Sequence, residues 1–370
     1  MRIAAKAGFA LVKWSISRIS QTLGLTLEPT FEDSDSGVHL LDRKLYGLEH
    51  MALNWTWEGG LKTMWMNMGY WKDTDSMPQA AENLLKYLLK KAGIIDPPGK
   101  VTRDRSISIL DLGFGCGDQT LYLTSQLPQN IDVTSYVGIT LSKVQYSFAK
   151  KRVLDRLEPM PPNSDQRRKG NISLYNADAS NPAAWPSSLH LSWLPSLSPS
   201  TSPQPPSQKP LPAVPHEHWT LGLDSLYHFR PSRVPILKYT HDNLQSNLLA
   251  FDLLRPSSGT SVTQSLFLRA VCIAASIPYH NLLTKEEYIH MLVTKVGYHE
   301  EEIIIEDISD FVFSGLAGFI SRRTKEMEKI GMKWKRWAGF KVFVWVLQTG
   351  LLRGGVVLAR WREAETGRGV

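Results

Sequence analysis

Residues 106–123, SISILDLGFGCGDQTLYL, decide the fold of this chain. The stretch begins with a short apolar run, ISILDL, which is typical of a buried strand in a parallel sheet. A turn with three glycines follows, Gly113, Gly115 and Gly117, and a helix is predicted to begin near Asp118. Glycine lets the backbone turn tightly and approach a ligand, and the free N–H groups of the helix point to the same place. The stretch therefore predicts a ligand site at the carboxyl end of a strand.

The spacing of these glycines narrows the class of ligand. It differs from the dinucleotide loop G-x-G-x-x-G, and no Lys follows the last Gly as it does in triphosphate-binding loops. Asp111 precedes the glycines, and a carboxylate there suits a positively charged ligand such as a sulfonium amino acid. The pattern resembles motif I of the class I S-adenosylmethionine-dependent methyltransferases. This resemblance implies that Asp111 and the three glycines bind S-adenosyl-L-methionine.

A second motif, GITLSKVQ at residues 138–145, follows the next predicted strand. It resembles the segment after strand two in methyltransferases of the cyclopropane-fatty-acid, tocopherol and related small-molecule groups, to which the sterol enzymes are similar. Thr140 stands near the position where many class I enzymes have an acidic residue for the ribose hydroxyls. Gln145 is predicted to contact the adenosine side of the cofactor, and the alternative is a helical Gln that faces solvent.

Two further candidates follow the third and fourth predicted strands, residues 172–175 and 220–223. The resemblance implies that Asp178 binds the adenine amino group, and the alternative is an Asp that caps a turn. His228 is predicted to take a proton from the acceptor as the methyl group arrives, with Tyr227 beside it as a second catalytic candidate. The alternative is a structural, hydrogen-bonded His.

Residues 54–71, NWTWEGGLKTMWMNMGYW, are unusually rich in Trp and Met and lie ahead of the first predicted strand. Taken alone, such a cluster is typical of a protein core. Many small-molecule methyltransferases carry a similar Gly-Tyr-Trp segment there, and this resemblance implies that Tyr70 and Trp71 cover the methionine end of the cofactor. Aromatic faces attract a sulfonium cation by about 0.5–2 kcal/mol.

We expect a methyltransferase domain over residues 45–370, preceded at 1–44 by a basic amphipathic helix and a polar linker. That helix fits an interfacial membrane helix, a mitochondrial presequence or a helix packed on the domain. Residues 183–216 are rich in Pro and Ser and are predicted to be a disordered insertion. Residues 311–349 alternate basic and aromatic side chains and are predicted to form a helical cap that suits a membrane interface.

The resemblance implies an α/β, Rossmann-like fold with a seven-stranded, mostly parallel sheet, helices on both faces and an antiparallel last strand. We expect a methyltransferase that acts on a lipophilic small molecule, a lipid or secondary metabolite. The alternatives are a macromolecular enzyme acting on RNA or protein, and a non-catalytic binding protein.

The composition of the chain limits which partners and which cellular compartment it fits. The chain has 370 residues and a net charge of +7, and much of the excess lies at the two ends. This favours a membrane surface over nucleic acid as the partner. Two cysteines cannot form a disulfide framework and have no partner at metal-ligand spacing, so we expect no metal site. An intracellular, cytoplasmic protein with peripheral membrane association is predicted, and the mitochondrion is the alternative.

Overall fold

Seven strands form one sheet in the computed structural model, which describes residues 48–56, 58–96, 104–156, 170–192, 216–257, 261–329, 331 and 344–363. The strands are β1 (Arg105–Leu112), β2 (Ile131–Thr140), β3 (Asn171–Asn176), β4 (His216–Leu223), β5 (Asn247–Leu254), β6 (Ile303–Asp307) and β7 (Arg353–Ala359). Their order across the sheet is β3-β2-β1-β4-β5-β7-β6. The first five pair in parallel, and β7 runs antiparallel to both β5 and β6. The predicted α/β fold with an antiparallel last strand is confirmed.

Helices connect the strands and cover the sheet. The described ranges contain α1 (Leu48–Asn54), α2 (Met77–Lys91), α3 (Asp118–Ser125), α4 (Lys143–Arg156), α5 (Ser187–Leu191), α6 (Val234–Leu244), α7 (Val262–Ala274), α8 (Lys285–Met291) and α9 (Ser309–Lys329). Residues 344–348 are also helical. Short helical turns occur at Pro182–Ala184, Leu226–His228, Tyr279–Asn281, Leu292–Val296 and Glu300–Glu302. The turn at Leu226–His228 directly follows β4 and carries the predicted catalytic pair.

The central strand β1 is buried on both faces, as a parallel strand between two helical layers must be. Ile107 and Ile109 pack into one core with the Leu-rich face of α2 and with α9. Leu110 and Leu112 point the other way, into a second core with α6 and α8. Because successive side chains of a strand alternate between faces, the run ISILDL supplies both cores at once.

The connections of β1 create the crevice of the fold. The chain runs from β1 through α3 to β2 on one side, whereas β4 pairs with β1 on the other side. The strands after β1 are therefore added first on one side of it and then on the other. Ligands of open α/β sheets bind at the carboxyl ends of the strands where the strand order reverses in this way. The glycine turn lies there, directly after Leu112.

Part of the predicted insertion lies within the described residues. Of the range 183–216, residues 193–215 lie outside the described residues, but a helical turn and α5 occupy 182–191 and His216 already belongs to β4. Trp185 and Leu189 are buried in the second core, and the Trp185 ring meets Tyr239 edge-on at 5.3 Å. The low-complexity composition begins only after these apolar side chains, which is why the prediction placed the boundary too early.

The two terminal segments are described only in part. The predicted N-terminal helix and linker, residues 1–44, lie outside the described residues. Of the predicted cap, α9 is a single helix that buries Val312, Phe313 and Leu316, while residues 332–343 also lie outside. Among the helices of the described ranges, none combines the length and the apolar character that crossing a membrane requires.

Candidate active site

The three glycines of the turn are all in left-handed backbone conformations that other residues rarely adopt. Their φ values are 98° at Gly113, 61° at Gly115 and 91° at Gly117. A Cβ on Gly113 would lie 2.8 Å from the Cβ of Ser225, which follows β4, and one on Gly115 would lie 3.2 Å from Met66. At Gly115 another group therefore comes close to the backbone because no Cβ is in the way, and a ligand-binding turn needs such close approach.

Asp111 lies beneath this turn with its carboxylate fully buried. Both of its oxygens accept from the Gln119 amide at 2.7 Å, and the Tyr136 hydroxyl donates to Oδ2 at 2.5 Å. Burial raises the pKa of Asp111 to about 6, although the bonds from Tyr136 and Gln119 lower it in part. The carboxylate is therefore held by interior partners, so we assign it to fixing the turn, whereas the sequence suggested direct contact with a charged ligand.

An ion pair secures the start of α3. Arg152 donates to both carboxylate oxygens of Asp118 at 2.7 and 2.8 Å, and also to the Cys116 carbonyl at 2.8 Å. A carboxylate in the first turn also favours the positive end of the helix dipole. These three bonds, called the clasp below, connect Arg152 of α4 with the start of α3 and with Cys116 in the glycine turn.

A short cover segment, residues 64–68, crosses the glycine turn. The Met64 N–H donates to Asp118 Oδ2 at 2.9 Å, and the Met68 N–H donates to Asp224 Oδ2 at 2.8 Å. Met66, between these anchors, is the side chain that faces Gly115. The segment is thus held at one end by α3 and at the other by the loop after β4.

Tyr70 and Trp71 pack among helices, and Met66 is the side chain of residues 54–71 that faces Gly115. Gly69 has a φ of 79° and a Cβ there would lie 2.8 Å from Ala80 of α2, so the chain turns toward that helix. The Tyr70 ring stacks on Tyr87 at 4.6 Å, and the Trp71 ring lies 5.2 Å from Phe319 of α9. Residues 64–68 cross the glycine turn, whereas tight packing at Gly69 directs the rings of Tyr70 and Trp71 into the helical layer.

Thr140 and Gln145 lie together at the end of β2. The Thr140 hydroxyl donates to Gln145 Oε1 at 3.0 Å, and both side chains are largely buried. This bond fixes the Gln145 amide so that its nitrogen can donate toward a ligand. The alternative of a solvent-facing Gln145 does not fit its burial.

Asp178 closes a turn after β3 and is exposed. Its Oδ1 accepts from the backbone N–H and from the hydroxyl of Ser180, at 2.8 and 2.7 Å. These bonds correspond to the turn-capping alternative. They leave the second carboxylate oxygen able to accept a further hydrogen bond.

The loop after β4 holds a carboxylate that the sequence did not single out. Asp224 has a φ of 63°, rare for a residue with a Cβ, and strain of this kind concentrates at functional sites. Its Oδ1 accepts from the Tyr227 hydroxyl at 2.8 Å. Desolvation raises the pKa of Asp224 to about 7.

His228 follows one helical turn later. Its ring lies 4.3 Å from that of Tyr227. Burial lowers the pKa of His228 to about 4, a hydrogen bond to the Ser276 backbone opposes this shift, and Arg230 adds to it. At neutral pH the imidazole is therefore uncharged and has a lone pair that can accept a proton.

Comparison with known proteins was made at the levels of sequence and structure. No protein-family model matches the sequence, and no curated protein matches it. Among solved structures, the cyclopropane synthase MmaA2 from Mycobacterium tuberculosis is similar with a TM-score of 0.53 and 13% identity, over 85% of this chain and 94% of that one. The mycolic acid cyclopropane synthase CmaA1 is similar both in its apo form and complexed with SAH and CTAB, each with a TM-score of 0.52 and 12% identity over 85% of this chain. These matches cover 100% and 95% of the CmaA1 chains. The chain has the Rossmann-like methyltransferase fold.

Within the methyltransferase fold, the predicted site residues fall into two groups. At one edge of the sheet, the glycines follow β1, Thr140 ends β2, and Gln145 and Asp178 follow β2 and β3. Tyr227 and His228 follow β4 at the same edge. Asp111 supports this edge from below. Tyr70 and Trp71 lie in the helical layer.

Sequence reasoning missed three residues that shape the site, namely Met66, Arg152 and Asp224. An acidic residue at the carboxyl end of a strand was the available signal for Asp224. Its partner Met68 is 156 residues away, and no local pattern reports such a contact. In the described part of the methyltransferase fold, no group of three or more His, Cys, Asp or Glu could hold a metal ion.

Proposed function

We propose that this protein is an S-adenosyl-L-methionine-dependent methyltransferase that acts on a lipophilic small molecule. The observation that carries the proposal is the direct contact between the glycine turn and the loop after β4. The Ser225 hydroxyl donates to the Leu112 carbonyl at 2.5 Å, three residues before His228. A cofactor held by the turn and an acceptor beside His228 would therefore meet at this contact.

The residues of the glycine turn fit the cofactor. Left-handed glycines leave room for a ligand against the backbone, and the N-terminus of α3 offers N–H groups to a carboxylate or hydroxyl. We assign the Gln145 amide to the adenosine side and the outer oxygen of Asp178 to the adenine amino group. When bound, the cofactor supplies an electrophilic methyl group on a sulfonium.

The chain's own task is alignment, exclusion of water and removal of a proton. Met66 of the cover segment lies over Gly115, where its apolar side chain would keep water from the turn. Holding the cofactor and the acceptor close together in the reactive geometry contributes several kcal/mol to catalysis. His228, neutral at physiological pH, is our candidate for the general base toward a hydroxyl or amine acceptor.

Asp224 lies in the same loop as His228 and helps to fix the conformation of that loop. As a carboxylate it holds the Tyr227 hydroxyl and the Met68 N–H, which join the acceptor loop to the cover segment. We therefore assign Asp224 to positioning, and Tyr227 to the lining of the acceptor site.

Peripheral membrane association and an intracellular location belong to the same proposal. A lipophilic acceptor would reside in a membrane, and the basic, aromatic segments at both ends of the sequence suit its surface. The two cysteines, Cys116 and Cys272, are both free and buried, in keeping with a reducing compartment.

The deciding experiment incubates the protein and a cell extract with methyl-labelled S-adenosylmethionine and then partitions the products. Label in the organic phase is expected, and His228→Asn should lower its rate by about 10²–10⁴-fold. Affinity for S-adenosylhomocysteine, measured by calorimetry, should stay unchanged in that variant. Label in protein or RNA would favour a macromolecular acceptor and contradict the small-molecule assignment. Cofactor binding without any transfer would point to a binding protein.

A further inference from the structure

Helix α7 presents apolar side chains to solvent. Val262 is 77% exposed and Ile273 is 61% exposed, with Leu266 between them also exposed. The spacings of four and seven residues place these three on one face of the helix. The opposite face carries the buried Leu268 and Cys272, so the helix has an apolar stripe on its outer side as well as its inner one.

Trp345 adds an exposed aromatic ring beside the same helix. Its indole is 53% exposed and meets the Phe267 ring edge-on at 5.0 Å. Val262, Leu266, Ile273 and Trp345 together are called the α7 stripe below. Exposed apolar side chains grouped on one helix in this way indicate an interaction site.

The stripe lies beside the acceptor loop. Ser276, two positions after the end of α7, accepts through its carbonyl from Arg230 of the acceptor loop at 3.1 Å. The Ser265 hydroxyl lies 3.1 Å from that of Tyr279, which starts the turn that follows. A partner on the stripe would therefore adjoin the side of the crevice where His228 lies.

The charge of α7 and of the sequence before Trp345 indicates the class of partner. Helix α7 contains no acidic residue, and its one charged side chain, Arg269, is exposed between Leu266 and Ile273. The sequence leading to Trp345 contains Lys329, Lys333, Lys335, Arg336 and Lys341 and no acidic residue after Glu328. A partner that is apolar inside and negative outside fits both features, as an anionic bilayer does.

We propose that the α7 stripe docks the protein onto an anionic lipid surface, so that a lipophilic acceptor reaches His228 from that surface. Exposed aliphatic side chains would enter the headgroup boundary, Trp345 would lie at the interface, and Arg269 would meet lipid phosphates. The docking itself stands on the surface described above, whereas the delivery of an acceptor rests on the proposed function.

Site-specific labelling tests the docking directly. The chain has only two cysteines, and both are buried, so a new surface thiol can be labelled selectively. An environment-sensitive dye on Val262→Cys should shift to the blue with vesicles of phosphatidylcholine and phosphatidylserine. The same dye on Ile304→Cys should not, since Ile304 is 57% exposed on the edge strand β6 and serves as the matched control. Equal shifts at both positions, or none at either, would overturn the proposal.

Vesicle sedimentation of the full chain supplies the second measurement. The variant Leu266→Ser/Ile273→Ser should bind phosphatidylserine vesicles about tenfold more weakly, because two inserted aliphatic side chains are lost. Ile304→Ser should bind as the wild type does. Undiminished binding of the stripe variant, with binding lost only when residues 1–47 are removed, would assign docking to the N-terminal segment. If the wild type is a dimer and the stripe variant is a monomer, the stripe binds a second copy of the chain. Either result would overturn the proposal.

Calorimetry with S-adenosylhomocysteine separates this inference from the proposed function. Wild type and stripe variant should bind it with equal affinity. A wild type that docks on vesicles but binds no S-adenosylhomocysteine would contradict the proposed function and leave the docking surface intact.

Discussion

Asp224 and His228 lie four residues apart, and burial moves each toward its uncharged form. The pKa of Asp224 rises to about 7 and that of His228 falls to about 4. At neutral pH the imidazole is therefore already deprotonated, whereas the carboxylate is near its midpoint. A shift of this kind in two neighbouring groups of a crevice is typical of a functional site.

The pH dependence of the reaction should follow Asp224. Below about pH 7 its carboxyl is protonated, so it accepts less well from the Tyr227 hydroxyl and the Met68 N–H that it holds as a carboxylate. We expect kcat/KM for the organic-phase product to rise through about pH 7 in the wild type. Asp224→Asn should lower kcat/KM and remove this rise, because an amide does not titrate. A variant that keeps the same rise would contradict the assignment.

Asp111 should make the stability of the protein depend on pH. Its folded-state pKa of about 6 lies above the unfolded value of about 3.9. Between these values the folded state holds the proton more tightly, so the free energy of unfolding falls as the pH rises. The effect is complete above about pH 6, and it amounts to about 3 kcal/mol.

Urea denaturation of wild type and Asp111→Asn between about pH 4 and pH 7 measures this term. Because the other titrating groups are shared, they cancel in the difference between the two proteins. As the pH rises, the free energy of unfolding of the wild type should fall relative to that of Asp111→Asn. A constant difference would mean that Asp111 is ionised throughout and is better solvated than its burial indicates.

The clasp between α3 and α4, in which Arg152 pairs with Asp118, should support cofactor binding without contacting the cofactor. Arg152→Gln removes the paired bonds to Asp118 and the bond to the Cys116 carbonyl. Hydrogen bonds to charged groups contribute about 1.5–3 kcal/mol, so unfolding should become easier by a similar amount. The affinity for S-adenosylhomocysteine should fall about tenfold, equivalent to about 1.4 kcal/mol.

Lys150→Gln is the matched control for this clasp, because Lys150 is exposed on the same helix. It removes one positive charge without touching Asp118, so both stability and affinity should stay near the wild type. Equal losses of affinity in the two variants would assign the effect to net charge and contradict the role of the clasp.

The elements of the fold could be predicted because their signals are local. The apolar run ISILDL and the three glycines each act within a few residues, and the predicted strand and turn are confirmed. The order of the motifs along the chain then predicts which loops share the carboxyl edge.

Contacts between distant segments could not be predicted in the same way. Met68 meets Asp224 across 156 residues, and Tyr70 turns toward Tyr87 because Gly69 packs against Ala80. Sequence periodicity reports which side of an element is apolar, but not which distant side chain will face it. The candidate site was therefore predicted in its outline, whereas the cover segment and the carboxylate that anchors it emerged only from the structure.

For the whole molecule, the glycine turn couples folding to ligand binding. A ligand that binds only the folded state stabilises it by about 2.7 kcal/mol at one hundred times its dissociation constant. S-adenosylhomocysteine should therefore raise the thermal midpoint of the wild type by a few degrees. The turn contributes little core of its own, so this gain should depend on its backbone shape.

Gly115→Ala should separate ligand binding from folding. Its φ of 61° strains any residue with a Cβ, and that Cβ would press on Met66 at 3.2 Å, in the space under the cover segment. Gly93→Ala imposes similar strain, with a φ of 65° and nothing within 4 Å of the new Cβ, at the end of α2. Both variants should lose about 1–2 kcal/mol of stability without ligand. Only Gly115→Ala should lose the ligand-induced rise in midpoint, because only there does the strain fall on the turn that we assign to the cofactor. If both variants keep the full rise, the cofactor binds elsewhere on the sheet edge.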